Sequence, residues 1–224
     1  MFKLFSKPTA LAAAALALSL PALAQSQTPA ISIRVNESVM IGQPFIMNVT
    51  SLQTTTLQVD AGSGRQSFTV EPTRYDSSTG DFTTTQIIVP VTSGNIRIYG
   101  DGSLIDYLDA SEMYITSISM PTLTNLEILN LKHNELGSLD LSDFSKLQSL
   151  TLSDNPFDIS PLKIGGNKPD LQILEISMIT SMSADFNLSD YPKMQSVIAY
   201  SNRALNSIDP TGCPLLKQLS IDCN

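Results

Sequence analysis

Tryptophan is missing from this 224-residue chain, histidine occurs once, and cysteine occurs twice. The lone histidine, His133, and the pair Cys213 and Cys223 cannot supply the three or four well-spaced ligands of an ordinary zinc site. A Ser/His/Asp triad would have to run through His133, with a carboxylate to hold it and a nucleophile beside it. Asp154 occupies the equivalent repeat slot further on, and a solvated surface pair explains both residues. No phosphate loop, dinucleotide fingerprint or calcium loop is present. Basic residues are also scarce, 13 against 21 acidic, for a net charge of −8. That balance excludes nucleic acid and anionic lipid as partners, because both require a basic face. With no catalytic, cofactor-binding or metal constellation legible in its residues, the chain is expected not to be an enzyme.

Residues 1–24 are read as separate from the fold. Lys3 and Lys7 precede an apolar run from Ala10 to Leu20, followed by Pro21 and the small-residue series Ala22-Leu23-Ala24. That order is a secretory leader with cleavage expected after Ala24. The run falls short of the roughly 20 residues that span a bilayer. Its removal takes two lysines away and makes the chain more acidic still. The expected location is outside the cell, at its surface or in the periplasm, with no membrane insertion after cleavage.

Residues 25–100 read as short strands. Ile31–Val35, Leu57–Val59, Phe68–Val70 and Ile96–Tyr99 alternate with period two, and Ile87–Val89 is a short apolar run. Turn residues such as Ala61-Gly-Ser-Gly64 and Thr92-Ser-Gly94 separate them. Strands at this spacing, with no helical period between them, predict a small antiparallel sandwich. Such a unit could cover the exposed first edge of the chain beyond residue 100.

Across residues 101–224 the rhythm changes to a repeat. Leu126-Glu-Ile-Leu129-Asn-Leu131-Lys-His-Asn134 is matched by Leu147-Gln-Ser-Leu150-Thr-Leu152-Ser-Asp-Asn155. Met194, Val197, Ala199 and Asn202 keep the spacing, as do Leu216, Leu219, Ile221 and Asn224. Weaker copies begin at Ile105 and Leu171, where Met113 and Ile179 replace the asparagine. The starts at 105, 126, 147, 171, 194 and 216 are 21 to 24 residues apart. Four anchors recurring in register predict stacked coils, one strand per copy, with the anchors inside.

These residues resemble the leucine-rich-repeat motif, Leu-x-x-Leu-x-Leu-x-x-Asn-x-Leu. Leu136-Gly-Ser-Leu-Asp-Leu-Ser142 is similar to segments of secreted bacterial repeat proteins, including internalin-like and gut-bacterial surface proteins. The resemblance implies a mainly β chain: a small N-terminal β-sandwich, then a short leucine-rich-repeat solenoid of about six repeats with its parallel sheet on the concave side. It also implies interaction with host or neighbouring-cell surfaces.

Because strand side chains alternate, residues between the anchors should share the open, concave face. Most of these positions are small or polar. Tyr107, Ile128, Asn130, Lys132, Ile173, Glu175, Met178, Ile198 and Tyr200 are the candidate partner-binding residues. Ile173, Met178, Ile198 and Tyr200 cluster on copies four and five, where exposed apolar groups gain by meeting a partner. The expected partner is a protein or a carbohydrate. A structural or envelope-assembly role without a dedicated ligand is the alternative. The sequence stops on a repeat asparagine with no closing segment, so a monomer is expected unless that end pairs. Cys213 and Cys223 should lie roughly 20 Å apart along an extended copy, too far for a bridge.

Overall fold

The computed structural model describes residues 28–76, 81–157, 164, 168–179, 185–203 and 205–222. The leader segment, Cys223 and Asn224 therefore lie outside the described residues.

The fold is mainly β, and the first part contributes β1 (Ile31–Val35), β2 (Pro44–Ser51), β3 (Thr55–Asp60) and β4 (Arg65–Val70). β5 (Arg74–Asp76) and β6 (Asp81–Thr83) form a hairpin, and β7 (Thr85–Pro90) and β8 (Asn95–Tyr99) complete this part. The single helical turn α1 (Glu37–Met40) is capped by the Asn36 side chain, which accepts from the Ser38 amide. All five strands read from the sequence are present. β2 was not anticipated, although Phe45, Met47 and Val49 alternate along it and are fully buried.

The repeat part adds β9 (Ile105–Asp109), β10 (Ile115–Ser119), β11 (Ile128–Asn130), β12 (Ser149–Thr151) and β13 (Ile173–Glu175). It ends with β14 (Asp185–Asn187), β15 (Ser196–Ile198), β16 (Ser207–Asp209) and β17 (Gln218–Ser220). Six of these, β9, β11, β12, β13, β15 and β17, lie side by side and parallel. Leu108, Leu129, Leu150, Leu174, Val197 and Leu219 stand in one register row across them. This is the inward column that the repeat spacing predicts, and its first five members are essentially inaccessible to solvent. Burying each such side chain contributes about 1.5–3 kcal/mol, so the stack of anchors holds the coils together.

The sandwich and the solenoid share a sheet. β2 pairs antiparallel with β9 on one side and with β7 on the other, extending the parallel sheet to eight strands in the order β17-β15-β13-β12-β11-β9-β2-β7. The opposing sheet runs β10-β1-β8-β3-β4, so β10 from the first coil also closes the sandwich. One buried cluster runs unbroken from Ala30 to Cys213. The open edge that a first coil would expose is thereby paired, which removes a row of unsatisfied backbone groups. Gly100 ends β8 with φ +140, and a Cβ there would stand 2.8 Å from Leu57 Cδ2. The chain thus leaves the sandwich through a position that favours glycine.

Two polar ladders supplement the leucine column. Asn155 is 2 % exposed; its amide donates to the Leu131 and Leu152 carbonyls, and its oxygen accepts from the Leu136 amide. Asn134 serves its own coil and the preceding one in the same way. Ile179, in the same slot, is buried and donates its backbone amide to Asn202. Beside this column, Glu112, His133, Asp154, Met178 and Ser201 all adopt left-handed backbone, with φ between 52 and 61. Each gives its amide to a carbonyl of the next coil.

A fifth inward column, three residues before each copy, was not visible in the repeat pattern. It holds Leu123, Phe144, Lys168, Tyr191 and Cys213, all buried. The lysine and the cysteine fit by the same device. Lys168 Nζ donates to the Leu141 carbonyl at 2.6 Å, and Cys213 Sγ to the equivalent Leu188 carbonyl at 3.3 Å. Burial lowers the Lys168 pKa, while the charges of Asp140 and Asp143 oppose that shift. Asp140, which is exposed, closes a turn on Ser142, and both carboxylates neighbour the buried ammonium. Cys213 is a free thiol whose pKa is raised by burial and by the Asp209 charge.

Candidate functional site

The outward side chains of the long sheet fall into register rows. One row reads Thr50, Tyr107, Ile128, Ser149, Ile173, Ser196, Gln218, and another reads Asn48, Asp109, Asn130, Thr151, Glu175, Ile198, Ser220. Adjacent members stand about 4.8 Å apart, the spacing of neighbouring strands. The concave columns read from the sequence are therefore aligned, and each continues onto β2 of the sandwich.

Alignment brings the candidate residues into two groups rather than one. Tyr107 and Ile128 are direct neighbours near the sandwich, with Asn130 and Lys132 further along β11 and the turn after it. Ile173, Glu175, Ile198 and Tyr200 form the second group, with Glu175 directly beside Ile198. β12 separates the two groups with half-buried Ser149 and Thr151. In the second group Ile173 is 41 % exposed and Tyr200 42 % exposed. Apolar surface of this kind, standing on a paired sheet, is available to a partner.

Several positions do other work than the alternation rule implies. Met178 is 42 % exposed but stands in the left-handed column at the sheet's edge, outside the strand rows. The Asn130 side chain accepts from the Lys132 amide, so its oxygen is committed to a local turn. Asp109 does the same for Ser111. Ser153 and Ser177, expected on the open face, are buried. Ser153 Oγ accepts from the Ser177 amide and Ser177 Oγ from the Tyr200 amide, a hydroxyl ladder between coils.

Two recesses border this surface. The first, about 540 Å³, is lined by Glu112, Tyr114, His133, Asn134, Glu135 and Asp154. His133 Nδ1 lies 3.0 Å from Asp154 Oδ2, so stacking of equivalent slots pairs them. Asn36 Nδ2 donates to both oxygens of Glu135 and ties the recess to the sandwich. The second recess, about 450 Å³, lies where β2, β9 and β11 meet. Thr50, Asp106, Tyr107, Glu127 and Ile128 line it, with Thr73 and Thr84 from the two ends of the β5–β6 hairpin segment. Thr50 Oγ1 donates to Asp106 Oδ1 at 2.6 Å. The Tyr107 hydroxyl reaches Asp109 Oδ2 at 3.4 Å. Its pKa is pushed up to about 12, chiefly by burial and then by the Asp109 charge and hydrogen bond, so it stays protonated.

Sequence reasoning missed Thr50, Thr73, Thr84, Asp106 and Glu127 as members of a site. The first three come from a region whose pairing with the first coil carries no periodic signal. Asp106 and Glu127 each come directly after a repeat anchor, a slot that alternation alone does not assign to a cavity. Among the described residues no three His, Cys, Asp or Glu side chains gather as a metal site, and no helix is long and apolar enough to cross a membrane. No protein-family model matches this chain, and no curated protein sequence matches it.

Proposed function

We propose that this chain is an exported, non-enzymatic recognition protein of the leucine-rich-repeat type, similar to the secreted bacterial repeat proteins. It binds a protein or glycan at a cell surface through the outward face of its long sheet. The anchor spacing and the asparagine column support the repeat type, and the leader at residues 1–24 supports export. One observation carries the binding role. Ile173 and Ile198 stand outward on the paired neighbours β13 and β15, and Tyr200 follows two residues beyond β15, with Ile173 and Tyr200 each more than two-fifths exposed. Side chains held by a scaffold lose little entropy on binding, and tyrosine is a frequent hot spot.

The test is the double variant Ile198→Ser/Tyr200→Ser, compared with the parent chain for partners captured from mucosal extracts and from bacterial envelope fractions. A partner retained by the parent and released by the variant, with the unfolding midpoint unchanged, is the expected result. Equal retention by the two proteins refutes the surface as the recognition face. A scaffold without a ligand would retain nothing specific in either form.

A further inference from the structure

We propose that the recess at the junction of sandwich and solenoid is a binding site for a neutral saccharide. The inference rests on reading the outward sheet face as a recognition surface, and it assigns a ligand class to one end of that face. The recess holds about 450 Å³, within the range of roughly 300–1,000 Å³ typical of small-ligand sites.

Its floor and walls have complementary chemistry. Tyr107 and Ile128 are register neighbours on β9 and β11, and Ile128 is 38 % exposed, so together they offer an apolar floor. The C–H face of a pyranose ring packs on a floor of this kind, with a tyrosine supplying large contact area at little entropic cost. Around it stand two carboxylates, Asp106 and Glu127, which accept hydrogen bonds from sugar hydroxyls. The hydroxyls of Thr73 and Thr84 can both donate and accept, while Thr50 spends its proton on Asp106.

The walls are also preformed. Thr50 lies on the outer face of β2 yet is only 1 % exposed, so the recess is backed by buried structure, and its bond to Asp106 fixes that carboxylate. Among the described side chains that line the recess there are two carboxylates and no lysine or arginine, so uronic acids, sialic acids and phosphates meet like charge there. An extended peptide finds no strand edge here, because β7, β2, β9 and β11 are consecutively paired. A polyhydroxylated, uncharged ligand fits every one of these features.

The experiment uses the intact chain and four probes: maltotriose, cellotriose, triacetylchitotriose and trigalacturonate. Saturation-transfer NMR identifies binders and calorimetric titration gives the dissociation constant. At least one neutral trisaccharide should bind, with affinity at least ten-fold above that for trigalacturonate. Tyr107→Ala should weaken that binding at least ten-fold. Ile128→Ser, at a site already 38 % exposed, should do the same, with the circular dichroism spectrum of the parent retained. No binding by any neutral probe overturns the proposal, as does equal binding of trigalacturonate or full affinity in both variants. Ile198→Ser/Tyr200→Ser should leave saccharide binding intact. If the saccharides fail while that double variant still loses its captured partner, this inference falls and the broader reading stands.

Discussion

The sandwich and the solenoid bury comparable apolar side chains by different means. In the sandwich, apart from the short β5–β6 hairpin, strands of five to eight residues build the two sheets, and some pair over long separations, as β1 does with β8 and β10. In the solenoid, the concave strands after β9 are only three residues long, and each coil is held by columns of side chains from its neighbours. The difference teaches where stability resides. A sandwich strand depends on the whole two-sheet assembly, whereas a coil depends on the coils beside it. The leucine row makes this visible, since Leu108 beside β2 is fully buried and Leu219 on β17 is 38 % exposed.

The sharpest test of that contrast is truncation along the row. Leu150→Ala, at a fully buried anchor between two coils, should lose about 2–5 kcal/mol in urea unfolding. Leu219→Ala in the same row should lose under about 1 kcal/mol, because much of its side chain already meets solvent. Equal losses would mean that stability is shared along the whole solenoid rather than passed between neighbours.

The asparagine ladder offers a second break. Asn155→Ala strands a buried amide and two carbonyls, and should cost about 2–3 kcal/mol. Hydrogen exchange should accelerate first at Leu136 and its neighbours, with β3 and β4 of the sandwich unaffected. Acceleration spread evenly over both regions would contradict coil-by-coil support.

Alkaline pH probes the fifth column. Burial, and then the Asp190 charge, push the Tyr191 pKa up to about 12. The folded state thus prefers the neutral phenol. Its contribution is complete below the ordinary tyrosine value of about 10 and is lost as pH rises toward 12. Tyr107 contributes to the loss in both proteins, so the wild type should lose about 2–3 kcal/mol more than Tyr191→Phe across that window. Parallel unfolding curves for the two proteins at pH 9.5 and 11.5 would remove Tyr191 as the cause.

Lys168 shifts in the opposite sense. Its lowered pKa means the folded state disfavours the ammonium, so stability should rise as pH climbs toward the ordinary lysine value. Lys168→Met fills the column without a charge. It should be neutral or gain up to about 1 kcal/mol at pH 7, and the rise should vanish. A large loss in this variant would show that the bond to the Leu141 carbonyl outweighs the burial penalty. The smallest effect belongs to the His133–Asp154 pair, 45 % and 18 % exposed. His133→Gln should change stability by less than about 1 kcal/mol, since a partly exposed pair contributes little.

Much of the solenoid could be read from the chain because its periodicity is local. Leucines at 129, 150 and 174 must face one way if any of them is buried, and that alone aligns Ile128 with Ser149 and Ile173. The column of Leu123, Phe144, Lys168, Tyr191 and Cys213 escaped notice because its residue types differ, although their environments do not. β2 escaped because its alternation comes after a turn signal at Ile41-Gly-Gln-Pro44 and includes asparagine and threonine on the outer face. With β2 unseen, neither the continuous sheet nor the junction recess could be inferred.

The spacing of anchors determined by itself that coils stack and that the intervening side chains share a face, because a strand has only two sides. What the tertiary structure alone decided is where that face begins. Antiparallel pairing of Thr50 with Tyr107 joins residues 57 positions apart, and no local pattern encodes the register of such a contact. It depends on which sheet edge the sandwich covers, a choice made by packing the whole core.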